Sequence, residues 1–138
     1  MKTSLTWVEN AMFVAETGSG HGLVIDGPPD GGGRNAGPRP MELVLTGTAA
    51  CSAYDVVSIL KKARQPVRDC RVAVEAERAP EPPQVFTRIH LHFTVSGEGL
   101  SEKQVARAIE LSAEKYCSAS IMLAQTAEIT HDFEILPG

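Results

Sequence analysis

The sequence predicts an α+β protein in which antiparallel sheets surround one long central helix. Three observations carry that expectation. Residues 41–60 (MELVLTGTAACSAYDVVSIL) form the one long apolar run, with helix signals at both ends. Two neighbouring segments, 71–77 and 85–95, alternate with a period of two. The strands come in groups and do not alternate singly with helices, which disfavours a doubly wound parallel sheet. At 138 residues the chain fits a single domain, 1–138, with a core that a partner subunit can complete.

Taken in order, residues 1–25 read as short strands at 5–9, 12–16 and 22–25, with turns at Asn10 and at 18–20. Residues 26–40 (DGPPDGGGRNAGPRP) are so rich in glycine and proline that a loop without regular structure, a flexible lid or linker, is expected. Pro40 suits the first helical turn, where its missing N–H costs nothing. The helix then spans 41–64: Lys61, Lys62 and Arg64 complement the negative end of its dipole, and Pro66 stops it. Its middle, 46–53, is almost all small residues and lets another backbone approach Cys51 closely.

Residues 65–138 supply the remaining sheet and helices. In 71–77, Val72, Val74 and Ala76 share a face with Cys70, opposite Arg71, Ala73, Glu75 and Glu77. After the turn APEPPQ, a second strand places Val85, Thr87, Ile89, Leu91, Phe93 and Val95 on one face. Ser101 and Gln104 form a capping box before a helix with Val105, Ala108, Ile109 and Ser112 at helical spacing. Cys117 falls near its end; a short helix over 119–127 and an alternating strand over 128–135 follow.

Composition excludes several classes. A formal charge of −4 gives no attraction to nucleic-acid phosphate. The beginning MKTSLTWVENAMF lacks the apolar core and cleavage site of a secretory signal, so a cytoplasmic location is expected. The 41–60 run carries Glu42, Asp55 and several hydroxyl residues, whereas a spanning helix wants about 20 predominantly apolar residues, so no membrane partner is expected. Three cysteines without secretory context leave catalytic or transient redox use open.

The loop at Gly31, Gly33 and Ala36 formally fits a dinucleotide fingerprint, but no strand runs into it and Pro38 and Pro40 intervene before the helix, so no cofactor is expected. His90 and His92 share one strand face and would hold a metal if a third ligand converged, but nothing obvious supplies one, and no metal site is expected. Cys51 and Cys117 are the better candidates for chemistry. Cys117 lies at a helix start, where unpaired N–H groups lower a thiol pKa. Cys51, mid-helix, needs a nearby cation or acid. Glu42 is nine residues earlier, about 900° of rotation and so about 180° away around the same helix, and does not reach it from there. Arg34 and Arg39 are the available cations, from the loop or from a partner subunit. Cys70, in an alternating apolar face, reads as packed core.

The run PMELVLTGTAACSAYDVV, with a cysteine centred in a helix entered by P-x-E-L, and the later AEKYCSAS resemble the OsmC/Ohr superfamily over nearly the whole chain. The similarity is greatest to the YhfA-like branch of OsmC-like proteins, through MELVL, CSAYDVVSILKK, FTRIHLHF and LSAEKYCS. The resemblance implies an intertwined homodimer with active sites at the subunit interface, and a stress-response, antioxidant thiol peroxidase. Cys51 would then be the nucleophile toward an organic hydroperoxide, Cys117 the resolving thiol, and an external dithiol the reductant. In the hydroperoxidases the catalytic glutamate directly follows the proline. Here that position is Met41 and the acid is Glu42, while the N-terminal strands lack the family's arginine, leaving Arg39 to supply the charge. Two other readings of the same fold are a non-enzymatic module binding a small apolar ligand and a redox sensor.

Overall fold

The computed structural model describes residues 1–138, which divide into two compact units, Met1–Leu45 and Thr46–Gly138. In the first, β1 (Thr3–Glu9), β2 (Met12–Thr17) and β3 (Gly22–Ile25) form an antiparallel sheet in that order. Asn10 at φ 48 makes the β1–β2 turn, and its carbonyl accepts the Trp7 indole N–H at 2.9 Å. Every residue of β1 is exposed, including Leu5, Trp7 and Val8.

The loop after β3 is more ordered than its composition suggests. Asp26, only 2% exposed, accepts the backbone N–H groups of Gly27 at 2.7 Å and of Arg34 and Ala36 at 3.1 Å each. Burial alone would raise the Asp26 pKa, but the donors from Gly27, Ala36 and Arg34, with the Arg39 charge, hold it below the usual carboxylate value. The chain also folds back tightly on itself: a Cβ on Gly33 would overlap the Gly27 carbonyl oxygen, and one on Gly37 that of Val24. The expected flexible lid is therefore a turn built around a buried carboxylate, with a short 3-10 segment at Pro29–Gly31.

Helix α1 (Pro40–Lys62) begins at the proline and belongs to both units. It stops two residues before the expected 64, because Arg64 takes the left-handed conformation at φ 58. There the Arg64 N–H donates to Lys61 O at 3.0 Å and the Gln65 N–H to Leu60 O at 2.9 Å, the paired bonds of a Schellman close. Within the helix only Thr48, Ser52, Val56 and Leu60 are buried, a single stripe at four-residue spacing.

The second unit holds β4 (Asp69–Arg78), β5 (Phe86–Ser96), α2 (Glu102–Leu111), a π turn (Ser112–Tyr116), α3 (Ser118–Leu123) and β6 (Glu128–Leu136), with sheet order β4-β5-β6. This α+β sheet departs from the all-antiparallel expectation in one respect: β4 and β5 are antiparallel, whereas β6 runs parallel to β5. The helical connection through α2 and α3 permits this, since parallel neighbours need a long crossover. Ile89, Leu91, Phe93 and Val95 are at most 3% exposed. Each such burial contributes about 1.5–3 kcal/mol, so a one-residue slip that replaced them with His90, His92 and Thr94 is heavily disfavoured.

At the start of β5 the expected face breaks. Phe86 is buried while Val85 and Thr87 are exposed, because a bulge lets Glu77 pair with Arg88 but Arg78 with Phe86, leaving Thr87 extra. Ser101 caps α2, its hydroxyl accepting the Gln104 N–H at 3.3 Å. Gln65, not Gln104, takes the Ser101 N–H, through its Oε1 at 2.9 Å.

Candidate functional site

Cys51 lies beside the buried stripe of α1, one residue before Ser52, and is half-buried. Cys117 reaches it from the far end of the chain by way of the π turn. The Cys117 N–H donates to Ser112 O at 2.8 Å, closing that turn with the five-residue spacing of a π-helix. The backbone then becomes extended at Cys117 (φ −74, ψ 99), and α3 starts at the next residue. Cys117 is itself the N-cap: its Sγ accepts the Ser120 N–H at 3.4 Å. Its sulfur also lies 4.0 Å from Thr48 O on α1.

The two thiols are neighbours, their sulfurs within 4.8 Å of each other. Asp55, one helical turn after Cys51, completes a cluster in which one donor atom from each of Cys51, Asp55 and Cys117 lies within 4.8 Å of the others. A hydroxyl relay positions the carboxylate. Ser112 Oγ is 3.1 Å from Asp55 Oδ2 and 3.0 Å from Ser52 Oγ. An ionised carboxylate only accepts, so Ser112 donates to Asp55 and accepts from Ser52.

Burial pushes the Cys117 thiol above its usual value; the Ser120 N–H opposes this, and the neighbouring Cys51 thiol adds to it. The lowered pKa expected from a helix start is thus overturned. Cys117 is fully buried, and the one helical N–H aimed at its sulfur does not offset the lost hydration. Cys70 sits outside the cluster, on β4 opposite Val95, its pKa raised by burial and by Asp69.

Arg39 and Glu42 lie together at the entrance to α1, in the first unit, while both thiols belong to the second. Glu42 Oε1 accepts the Arg39 backbone N–H at 2.9 Å, the returning half of a capping box. The Arg39 guanidinium donates to Asn35 Oδ1 at 2.6 Å and Gly37 O at 3.3 Å. Arg34 is ion-paired with Glu9 at 2.9 Å.

His90 and His92 project from the polar side of β5, as expected, and the convergent group absent from the sequence reading comes from β6. Asp132 Oδ1 lies 3.0 Å from His90 Nε2 and 2.7 Å from His92 Nδ1. Glu134 Oε1 meets the other nitrogen of His92 at 3.3 Å, and Thr130 Oγ1 that of His90 at 2.7 Å. Asp55 and Ser112 were missed as well. Asp55 was accessible to reasoning, because four residues from Cys51 on a helix means the same face. Ser112 was not, because its placement depends on the π turn.

The family model for OsmC-like proteins matches residues 31–132. The chain is similar to Protein YhfA of Escherichia coli K12, at 48% identity over 99% of this chain and 98% of that protein. It is also similar to the crystal structure of a hypothetical protein from Aquifex aeolicus VF5, at 28% identity with TM-score 0.87, over 99% of this chain and 96% of that one. An organic hydroperoxide resistance protein OsmC from Legionella pneumophila shares the fold, at 17% identity and TM-score 0.70 over 97% of both chains. With a neighbouring cysteine pair drawn from a long helix and the α3 cap, and matches along nearly its whole length, the chain belongs to the OsmC-like protein family.

Proposed function

We propose that this OsmC-like redox protein reduces organic hydroperoxides, with Cys51 as nucleophile and Cys117 as resolving thiol. The observation that carries the reading is the pair of thiols with sulfurs within 4.8 Å of each other, one half-buried and one fully buried. The accessible Cys51 sulfur attacks the terminal peroxide oxygen. The O–O bond breaks, the alkoxide leaves with a proton as an alcohol, and Cys51 becomes a sulfenic acid. Cys117, sequestered until then, attacks the Cys51 sulfur. The S–O bond breaks, hydroxide leaves with a proton as water, and a disulfide forms. An external dithiol then restores both thiols by exchange. Sulfurs within 4.8 Å must close to about 2.05 Å, a movement within reach of side-chain rotation at Cys51 and local adjustment at the α3 cap.

Arg39 and Glu42 are assigned the roles of the family's arginine and glutamate in an intertwined homodimer, with the whole chain acting as one OsmC-like domain. Support for the dimer comes from surface a single chain leaves open: Leu5, Trp7 and Val8 on β1 and Val44 and Tyr54 on α1 are exposed, and 22% of the most apolar window of α1 is buried. The organic hydroperoxide resistance protein with this fold supports the choice of substrate. A cytoplasmic setting, where dithiol reductants are at hand, suits the cycle.

The alternative is a module that binds a small apolar ligand. An open cleft of about 540 Å³ lined by Ala50, Ala53, Tyr54, Val57 and Cys70 favours it. Steady-state consumption of cumene hydroperoxide with dihydrolipoamide as reductant decides between them. Turnover that is lost in Cys51→Ser supports the enzyme; no turnover above the uncatalysed rate leaves the binding module.

A further inference from the structure

We propose that the reduced protein is also a zinc-binding protein, holding one zinc ion on Cys51 Sγ, Cys117 Sγ and a carboxylate oxygen of Asp55, with solvent in the fourth position. This does not rest on the peroxide reading. Three donors of suitable chemistry converge from two elements: Cys51 and Asp55 occupy the same face of α1 one turn apart, and Cys117 comes from the cap of α3. Zinc bonds of about 2.3 Å to sulfur and 2.0–2.2 Å to oxygen place tetrahedral ligands roughly 3.5–3.8 Å apart. Donors already within 4.8 Å therefore need to close by about 1 Å, which side-chain rotation supplies. Two thiolates with one carboxylate select zinc over calcium or magnesium, which take oxygen ligands alone.

The surroundings are those of a metal site with its outer partners in place. Ser112, held by Ser52, fixes Asp55 through Oδ2, and the Ser120 N–H points at the Cys117 sulfur. Asp55 forms no ion pair; the arginines in the ion pairs of this protein face Glu9, Asp69 and Glu77. With both thiols ionised, three negative groups would meet with no Lys or Arg in ion-pair contact with Asp55, and a divalent cation removes that repulsion. A cleft of about 300 Å³ opens on the Asp55 side of the cluster, beside Lys62 and Tyr116. The His90–Asp132–His92 ladder is less suited, because Asp132 Oδ1 already sits between the two ring nitrogens as a hydrogen-bond acceptor.

The test is anaerobic titration of the reduced full-length protein with Co²⁺, followed by displacement with Zn²⁺. The expected result is a one-to-one complex with thiolate-to-cobalt absorption in the near ultraviolet and visible bands of tetrahedral intensity. Asp55→Asn and Ser112→Ala should each weaken it about tenfold or more, Cys51→Ser and Cys117→Ser should remove it, and Cys70→Ser should leave it unchanged. Absence of a complex, or one retained at parental affinity in both Cys51→Ser and Cys117→Ser, overturns the site. A readout needing no variant is alkylation of the parent: Zn²⁺ should slow labelling of Cys51 but not of Cys70, Cys117 being buried with or without the ion, and Cys51 labelling unchanged by Zn²⁺ overturns the site as well. Both assays omit peroxide, so a failed metal site leaves the peroxidase reading standing, and a failed turnover assay leaves the metal site standing.

Discussion

Ser112 Oγ donates to Asp55 Oδ2 at 3.1 Å while accepting from Ser52 Oγ at 3.0 Å, so one buried hydroxyl ties the π turn to the face of α1 that carries Cys51. The relay has a direction, and the direction predicts unequal effects. Ser112→Ala strips Asp55 of its donor and Ser52 of its acceptor, and should destabilise by about 1–3 kcal/mol. Ser52→Ala leaves the Ser112-to-Asp55 bond intact and should cost about 1 kcal/mol or less. Urea unfolding of the two variants checks the order; equal losses would contradict the relay.

The histidine ladder predicts a pH dependence. The His92 pKa is raised from 6.5 by hydrogen bonds to Asp132 and Glu134, with burial opposing, so its stabilising effect is full below pH 6.5 and is lost as pH rises through the folded value. The Asp132 pKa is lowered from 3.8, chiefly by His92 and also by His90 against the effect of burial, so its contribution is full above pH 3.8 and lost as pH falls through the folded value. The two overlap between about pH 3.8 and 6.5. The stability difference between the parent and His92→Gln should therefore be greatest in that window and shrink as pH rises through the raised His92 value. A difference that stays constant from pH 5 to pH 9 would contradict the ladder.

The close of α1 offers a stabilising change. Arg64 holds φ 58 in a Schellman pair that glycine ordinarily fills. Relief of the left-handed strain, partly offset by a freer unfolded chain, should make Arg64→Gly more stable by about 0.5–1 kcal/mol. Thermal unfolding reads the sign, and a lower midpoint would show that the arginine side chain contributes more than its backbone strain costs.

Much of this organisation was legible in the residues. Turn residues, helix-end signals and hydrophobic periodicity together located all six strands and all three helices to within a few residues, with the core faces of β4, α2 and most of β5 the clearest in pattern. The cysteine pair was legible through the family pattern. What remained hidden depends on register and on non-local partners. The parallel pairing of β6 puts Asp132 between His90 and His92, and nothing in the spacing of either strand reveals that alignment. The bulge at Thr87 changes which side of β5 Phe86 occupies. Asp26 organises a loop whose composition alone suggests looseness, because its backbone donors lie one, eight and ten residues ahead. Ser112 joins the site only because a π turn closes onto Cys117.

Activation of Cys51 has its own test. If Arg39 supplies the positive charge, Arg39→Ala should slow iodoacetamide alkylation of Cys51 at neutral pH about threefold or more, a change of less than 1 kcal/mol. Arg34→Ala, which loses an exposed ion pair with Glu9, should change the rate much less. Equal rates in the parent and both variants would remove arginine from the mechanism.

The two-cysteine mechanism itself is tested by peptide mass mapping after treatment of the reduced protein with a limiting amount of organic hydroperoxide. The account predicts one Cys51–Cys117 disulfide formed for each peroxide consumed, with Cys70 unmodified, and a stable sulfenic acid on Cys51 only when Cys117→Ser removes the resolving thiol. Oxidation that accumulates on Cys70, or Cys51 oxidised with Cys117 still a free thiol in the parent, would contradict it.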